Sequence, residues 1–256
     1  MEQEIKLSQP RGLWILSFTA IWERFSYYGM RAFLILYMAN DILNPENRKA
    51  HLGGLGFSDS NAGFVYGTFT SMCYLLPLLG GFLADRYIGK RKSVIIGGFL
   101  IMIGHFTLAL DLTTTSFFAG LTLLAFGNGF FKPNCSSMIG DLYTPGDKRR
   151  DSGFTIFYML FNGGAFFAPL LCGYFGETYG FRYGFMIAGF AMMIGLIIYM
   201  IAAERFLGDI GKYPIHQQNI KNQVENKPLT KQEKDRIMVI MILLFFVTFF
   251  WAGFEQ

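Results

Sequence analysis

The chain has 256 residues, of which 52% are hydrophobic, 18% aromatic and only 16% charged, and its formal net charge is +4. Soluble globular domains carry roughly 25% charged residues, so this composition points to lipid as the solvent and excludes disordered, collagen-like and disulfide-stapled chains. A net charge this small gives no support for nucleic-acid binding, and no nucleic-acid partner is expected.

The residues that usually hold metals or perform catalysis are scattered. The three cysteines lie within apolar runs and share no metal-ligand spacing: Cys73, Cys135 and Cys172. The three histidines are isolated from one another: His51, His105 and His216. The sequence therefore predicts no metal site and no cofactor, and it disfavours an enzyme.

Long apolar runs dominate the chain. A helix needs about 20 mostly apolar residues to cross a hydrocarbon core of about 30 Å, and seven runs approach or exceed that length. In chain order they cover residues 13–38, 62–84, 93–110, 116–139, 153–173, 183–203 and 237–256. The sequence predicts an all-α, multi-pass membrane protein.

A polar, mixed-charge stretch at residues 204–236 separates six runs from the seventh. We therefore predict a six-helix bundle at 1–203, a cytoplasmic linker at 204–236, and a seventh transmembrane helix at 237–256 that begins a second bundle. Because the seventh run stops without a polar tail, we expect the rest of that second bundle to be missing from this chain.

The positive charges are distributed unevenly between the two sides of the predicted membrane. If the N-terminus is cytoplasmic, the opposite side has only Arg48, Lys49 and Arg182, while most other Lys and Arg residues lie inside. This asymmetry predicts a cytoplasmic N-terminus in a plasma membrane, such as the bacterial inner membrane. The first run is too long and too charged for a cleavable signal peptide.

Charged residues inside membrane helices are rare and are functional candidates by default. The candidates here are Glu23, Arg24, Arg31, Lys132 and Glu255. On the first helix, positions 27, 31 and 24 lie about 40°, 80° and 100° around the axis from Glu23, so one arc carries the polar groups. Glu23 and Lys132 lie at similar depths, about 15 Å and 10 to 12 Å from one face, and could meet. The alternative is that these charges only hold the bundle together as salt bridges.

The fourth run carries Pro133 directly after Lys132, with Gly127 and Gly129 just before. Proline removes a backbone hydrogen bond, so we expect a kink or flexible point beside the lysine. The alternative is ordinary packing, because glycine and proline are common in membrane helices.

Five short stretches resemble the signatures of one family. They are ERFSYYG at 23–29, GGFLADRYIGK at 80–90, FKPN at 131–134, FTIFYMLFNGG at 154–164 and FWAGFEQ at 250–256. In this order they are similar to the motifs of the proton-dependent oligopeptide transporter (POT) family, a branch of the major facilitator superfamily. The resemblance implies a carrier of two six-helix bundles with a peptide pocket between them, and two inverted three-helix repeats within the N-terminal bundle.

The resemblance also implies residue roles. Charge around the peptide carboxylate would come from Arg24, Arg31 and Lys132. The walls of the pocket would contain Tyr27, Tyr28, Tyr66, Asn162 and Trp251. Proton coupling would involve Glu23, Lys132 and Glu255. Fixed cations suit the constant carboxylate of a peptide, while aromatic walls tolerate varied side chains.

Two of these assignments have plain alternatives. Any single tyrosine can be a packing residue, and only the resemblance favours Tyr66. The resemblance places Asp85 and Arg86 in a gating charge cluster, whereas the positive-inside rule alone explains the basic loop in which they lie.

The sequence departs from the family pattern at one position. The family motif usually has a glutamate three residues before Glu23, where this chain has Ala20. Position 20 lies about 60° around the helix from Glu23, on the polar arc. Either Ala20 is natural and coupling relies on Glu23 and Glu255, or the residue was engineered.

The predicted function is proton-coupled uptake of di- and tripeptides by alternating access, with the lipid bilayer, protons and peptide as partners and a monomer as the working state. The alternatives are an uncoupled carrier, a POT carrier for nitrate or peptide-like drugs, and a peptide sensor that does not transport.

Overall fold

A computed structural model describes residues 8–40, 53–110, 113–215 and 230–254. Its α-helices are α1 (Arg11–Ala39), α2 (Asp59–Leu83), α3 (Lys90–Leu110), α4 (Thr114–Asp141), α5 (Arg149–Ala168), α6 (Tyr174–Tyr179), α7 (Phe181–Leu207) and α8 (Lys231–Phe254). A π-helical turn, Ala84–Ile88, extends α2, and a second, Pro169–Gly173, joins α5 to α6. The described residues contain no strand, so the predicted all-α class is confirmed.

Four stretches of the described chain are long and apolar enough to cross a membrane. They are Asp59–Ile88, Lys90–Leu110, Arg149–Tyr179 and Phe181–Leu207. The helices α1 and α4 are also long, with 29 and 28 residues, but both carry charge in their interior. The four stretches match four of the seven spans that the sequence predicts, and α1 and α4 lie at two more, where charged and polar side chains lower the hydropathy. The seventh span stays a prediction.

The chain divides into two compact units, residues 1–218 and residues 219–256. The last helix of the first unit, α7, continues to Leu207, beyond the predicted end at residue 203. In the second unit α8 begins at Lys231, before the predicted start at residue 237. Thr230 and Glu233 form a reciprocal cap there: the Glu233 carboxylate accepts from Thr230 N at 2.8 Å, and Thr230 Oγ1 accepts from Glu233 N at 3.3 Å. This S/T-x-x-E signature marks the helix start, and the apolar run alone does not.

The helices of the first unit pack in a reciprocal pattern. Helix α1 packs against α5 and α7, while α4 packs against α2 and α3, and α3 also packs against α7. The predicted three-helix repeats correspond to α1, α2 and α3 and to α4, α5 and α7. The first helix of each repeat thus contacts the second and third helices of the other repeat. This is the contact pattern that two structurally equivalent three-helix repeats produce.

Glycines let α3 and α4 approach closely. Gly97 and Gly104 of α3 face Gly127 and Gly120 of α4, with a spacing of two helical turns on each helix. A Cβ placed on Gly97 would lie 2.7 Å from the Gly127 carbonyl oxygen, and one on Gly127 would lie 2.8 Å from the Gly97 oxygen. Small residues of this kind allow backbone contact between membrane helices, where no hydrophobic force drives association. This seam fixes the position of α4 on the bundle.

Arg91 anchors one end of the bundle. Its Nε donates to Ile210 O at 2.8 Å, its Nη1 contacts Glu204 Oε2 at 2.9 Å, and its Nη2 donates to Gly208 O. The preceding residue, Lys90, forms a salt bridge with Asp141 of α4, with Nζ 2.7 Å from Oδ2. Both cations are buried, so the two side chains tie the start of α3 to the ends of α4 and α7.

We call the contact formed by Gly97, Gly104, Gly120 and Gly127 the glycine seam. It predicts that an alanine substitution destabilises the protein within the seam but not at a glycine with open space around it. We expect Gly97→Ala to lower the free energy of unfolding by about 1–3 kcal/mol, because the added methyl group meets backbone atoms that cannot move independently. Gly67→Ala on α2 is the matched control: a Cβ there meets nothing within 4 Å. It should be neutral or stabilising by about 0.5–1 kcal/mol. Thermal unfolding of the two variants in detergent measures the difference, and equal stabilities would contradict the seam.

Candidate functional site

The buried carboxylate of Glu23 lies between two cations. Its side chain is 3% exposed, with Lys132 Nζ 3.6 Å from Oε1 and Arg24 Nε 3.8 Å from Oε2. The structure therefore brings Glu23 and Lys132 together, as helix geometry predicts. Both distances exceed a normal hydrogen bond, and Glu23 Oε1 has no hydrogen-bond partner among the described residues. We call Glu23, Arg24 and Lys132 the Glu23 cluster.

The part of α4 that carries Lys132 is held by a neighbouring asparagine. Asn134 Nδ2 donates to Ser93 Oγ of α3 at 3.0 Å and to Phe130 O of its own helix at 2.8 Å. The α-helix continues through Pro133, which cannot donate to the Gly129 carbonyl. That carbonyl packs directly against Gly80 of α2. Sequence reasoning did not single out Asn134, although its place two residues after the lysine in FKPN was a usable signal.

Aromatic rings cover the two cations of the Glu23 cluster. Lys132 Nζ lies 3.8 Å from the centroid of the Tyr27 ring. The Arg24 guanidinium lies 4.6 Å from the Phe161 ring and 5.9 Å from the Tyr28 ring. Cation–π contacts of this kind stabilise charge where water is scarce. The cluster thus combines ionic and aromatic surfaces from α1, α4 and α5.

On α5, the side chain that reaches the Glu23 cluster is one position before the predicted site residue, Asn162. Asn162 is exposed, and its Nδ2 donates to Tyr158 O of its own helix at 2.8 Å. The side chain that contacts Arg24 is Phe161, which is buried. One residue changes the direction of a helical side chain by about 100°, so Asn162 presents a different face from Phe161.

A second polar contact lies two turns along α1 from Glu23. Arg31 Nε donates to the Tyr66 hydroxyl on α2, and its guanidinium lies 5.5 Å from the Tyr66 ring centroid. The structure thus joins two predicted site residues, Arg31 and Tyr66, from different helices. This contact combines a hydrogen bond with a cation–π contact and links α1 to α2.

A small cavity of about 60 Å³ opens beside the Glu23 cluster. It lies between α1, α4 and α5 and is lined by Ala20, Glu23, Arg24, Phe131, Lys132, Cys135, Ser136, Phe157, Tyr158 and Phe161. Ala20 is in its wall, as the helical arc predicts. With Glu23 ionised, the lining carries one negative and two positive charges. Such a lining suits an anionic group, and the described residues contain no His, Cys, Asp and Glu group placed to hold a metal ion.

The remaining predicted residues lie elsewhere. Asp85 and Arg86 are exposed on the π-helical turn after α2 and form no ion pair with any described residue. The ion pairs near this end among the described residues include Lys90–Asp141, Arg91–Glu204 and Lys212–Glu204. Trp251 belongs to α8, where only its backbone is described. Several residues named in the sequence analysis lie outside the described ranges: Arg48, Lys49, His51, His216 and Glu255.

The Glu23–Lys132 contact predicts a measurable coupling. In a double-mutant cycle of Glu23→Gln and Lys132→Gln, we expect a coupling energy of about 1–3 kcal/mol in the free energy of unfolding. Each single variant leaves one buried charge without this partner, whereas the double variant removes both. A control cycle of Glu23→Gln with the exposed Lys92→Gln should give less than about 0.5 kcal/mol. Equal coupling in the two cycles would contradict the contact.

The chain is similar to known membrane transporters in sequence. A model of the POT family matches residues 91–212. The chain is 42% identical over 218 residues to the uncharacterized transporter YclF of Bacillus subtilis (strain 168), and 38% identical over 213 residues to a di-/tripeptide transporter of Lactococcus lactis subsp. lactis (strain IL1403). These matches cover 85% and 83% of this chain and 42% of each relative. The chain therefore spans less than half the length of these relatives.

Solved structures show the same architecture. A crystal structure of a peptide transporter POT in complex with sulfate matches with a TM-score of 0.76 and 39% identity, over 98% of this chain and 47% of the other. A crystal structure of a POT family transporter in complex with 5-aminolevulinic acid matches with a TM-score of 0.76 and 35% identity, over 98% and 49%. The shared helical architecture, the family match and the sequence relatives agree, and this chain belongs to the POT family.

Proposed function

We propose that the protein carries short peptides across the membrane by alternating access and that protons drive this uptake. The observation that carries the proposal is the Glu23 cluster, where a buried carboxylate holds two cations at ion-pair distance beside a cavity. The similarity to a di-/tripeptide transporter supports the substrate class. A peptide always offers a carboxylate, so fixed cations can bind any sequence through the same group.

The substrate carboxylate is proposed to bind the cations Arg24, Arg31 and Lys132. Arg24 and Lys132 already face one carboxylate at 3.8 and 3.6 Å, so their charges are placed for another. The proposed walls are formed by Tyr27, Tyr28, Tyr66, Asn162 and Trp251. Aromatic walls accept different peptide side chains because they offer apolar area with little directional demand.

Proton coupling follows from competition for the same cations. When Glu23 is ionised, its negative charge offsets one of the two positive charges of Lys132 and Arg24, which weakens their attraction for a second carboxylate. When Glu23 takes up a proton, both cations become available for the substrate carboxylate. We propose that this exchange couples the two fluxes, and that Glu255 is a further proton-accepting group. Lys132 joins both processes because it faces Glu23 directly.

The proposal extends to the setting of the protein. It would act as a monomer in the bacterial inner membrane, with its N-terminus in the cytoplasm. Asp85 and Arg86 would take part in gating at the cytoplasmic end, where both are exposed and free to pair in another conformation. These residues follow α2 on a π-helical turn, a local irregularity that often accompanies function.

The central test is uptake of labelled dialanine by the full-length protein in proteoliposomes. We expect an inward proton gradient to drive concentrative uptake, and Glu23→Gln to abolish the concentrative part because the exchangeable carboxylate is gone. Glu177→Gln is the matched control, since Glu177 is exposed near the end of α6. It should keep wild-type uptake.

The outcomes separate the alternatives. Concentrative, proton-driven uptake in Glu23→Gln would contradict the coupling role of Glu23. Dialanine binding without flux in the unaltered protein would indicate a peptide sensor and contradict the carrier function. Flux that ignores the proton gradient would indicate an uncoupled carrier.

The substrate carboxylate can be tested without altering the protein. We expect dialanine amide, which lacks the terminal carboxylate, to compete with labelled dialanine at least about tenfold more weakly, because a charge-assisted hydrogen bond contributes about 1.5–3 kcal/mol. A related carrier is known in complex with 5-aminolevulinic acid, which also has an amino and a carboxyl end. Competition by this compound would widen the substrate class. Equal competition by dialanine and its amide would contradict carboxylate recognition.

A further inference from the structure

The Glu23 cluster holds more positive than negative charge. Arg24 and Lys132 each contribute one positive charge, and Glu23 contributes one negative charge when ionised, which leaves an excess of one positive charge. The Glu23 side chain is 3% exposed, and those of Arg24 and Lys132 are 25% and 21% exposed. An excess charge so poorly exposed to water is costly unless an opposite charge neutralises it.

The two cations also retain unused donors. Their contacts to Glu23, at 3.8 and 3.6 Å, are too long for hydrogen bonds, and neither side chain donates one to any other described residue. An arginine offers five N–H donors and a lysine three. The Phe161 ring lies against the Arg24 guanidinium, and the Tyr27 ring lies against the Lys132 ammonium group. These cation–π contacts do not replace a hydrogen-bond acceptor.

Ala20 leaves space between these donors. The cavity beside the cluster has a volume of about 60 Å³, and Ala20, Arg24, Lys132 and Ser136 are among its lining residues. One water molecule needs about 10–15 Å³ of such space, so the cavity is large enough for more than one water-sized particle. A carboxylate side chain at position 20 would fill the same space with the missing negative charge.

We propose that this cavity binds a small monovalent anion of the size of chloride. The anion would accept hydrogen bonds from Arg24, Lys132 and the Ser136 hydroxyl, and it would neutralise the excess positive charge. A monovalent anion neutralises the excess of one positive charge. A divalent anion would instead leave an excess of one negative charge beside the Glu23 carboxylate. The apolar remainder of the wall, including Phe157 and Phe161, favours a weakly hydrated ion over a strongly hydrated one.

The anion also bears on transport. Where the inference concerns transport it rests on the proposed function, because the anion and the substrate carboxylate would use Arg24 and Lys132 alike. The bound anion would hold the cations in place before the substrate arrives and would leave when the carboxylate binds. Chloride should therefore compete with dialanine, raising its KM without changing the maximal rate.

The test measures anion binding in the absence of any peptide. The melting temperature of the full-length protein in detergent is compared in sodium chloride and sodium gluconate at equal ionic strength. Gluconate is too large for the cavity. When chloride exceeds its Kd about a hundredfold, we expect the melting temperature to rise by roughly 2–4 °C.

Two variants at position 20 form a matched pair. Ala20→Glu fills the cavity and supplies the negative charge, so it should lose the chloride response and keep a high melting temperature in gluconate. Ala20→Gln fills the same space without charge, so it should also lose the response and melt below Ala20→Glu. The absence of a chloride effect in the unaltered protein, or an equal effect in Ala20→Glu, would overturn the proposal.

A second measurement covers the case in which the variants do not fold. Crystals of the unaltered full-length protein grown in bromide should show an anomalous peak within the cavity between Arg24 and Lys132. A bromide-stabilised protein without that peak would overturn the site. Dialanine binding is measured separately: if dialanine binds but chloride has no effect, only the anion site fails. If chloride binds but dialanine does not, the peptide function fails and the anion site stands.

Discussion

The burial of Glu23 between Arg24 and Lys132 is the constraint on which the rest of the site depends. An ionised carboxylate inside a membrane protein must be paired, because the interior offers no water to solvate it. Here the partners come from two helices, so the ion contacts require α1 and α4 to keep one relative position. The long distances, 3.6 and 3.8 Å, mean that the carboxylate holds its partners by charge and not by short hydrogen bonds. Such a contact can exchange one carboxylate for another, which is what a coupled carrier needs.

Backbone packing gives α4 the rigidity that the proposed exchange would require. The glycine seam brings α4 against α3, and Gly80 of α2 packs on the carbonyl that Pro133 leaves without its helical donor. Asn134 then bonds to Ser93, so the polar side chain beside the lysine is satisfied by the neighbouring helix. A proline in a membrane helix is tolerated when neighbours compensate in this way. Lys132 therefore projects from a well-packed segment, and movement at the site falls to its flexible side chain.

Much of this could be predicted from the sequence, but only along single helices. Helix periodicity placed Ala20 and Glu23 on one arc, and rise per residue placed Glu23 and Lys132 at matching depths. These quantities depend on one helix at a time. The contact of Phe161 with Arg24, in place of one from Asn162, depends on how α5 is rotated against α1, and no pattern within α5 reports that rotation. The anchoring by Arg91 was missed for a similar reason, since its partners Gly208 and Ile210 follow a different helix and are backbone carbonyls. The early start of α8 was missed because polar residues precede its apolar run.

The central claim is that Glu23 gives up Lys132 and Arg24 when it takes up a proton, and that the substrate carboxylate then takes its place. Infrared difference spectroscopy of the full-length protein, recorded with and without dialanine, observes that proton directly. The account predicts that dialanine binding produces the C=O band of a protonated carboxyl group and that this band is absent in Glu23→Gln. A spectrum in which dialanine binds while the Glu23 carboxylate stays ionised would contradict it.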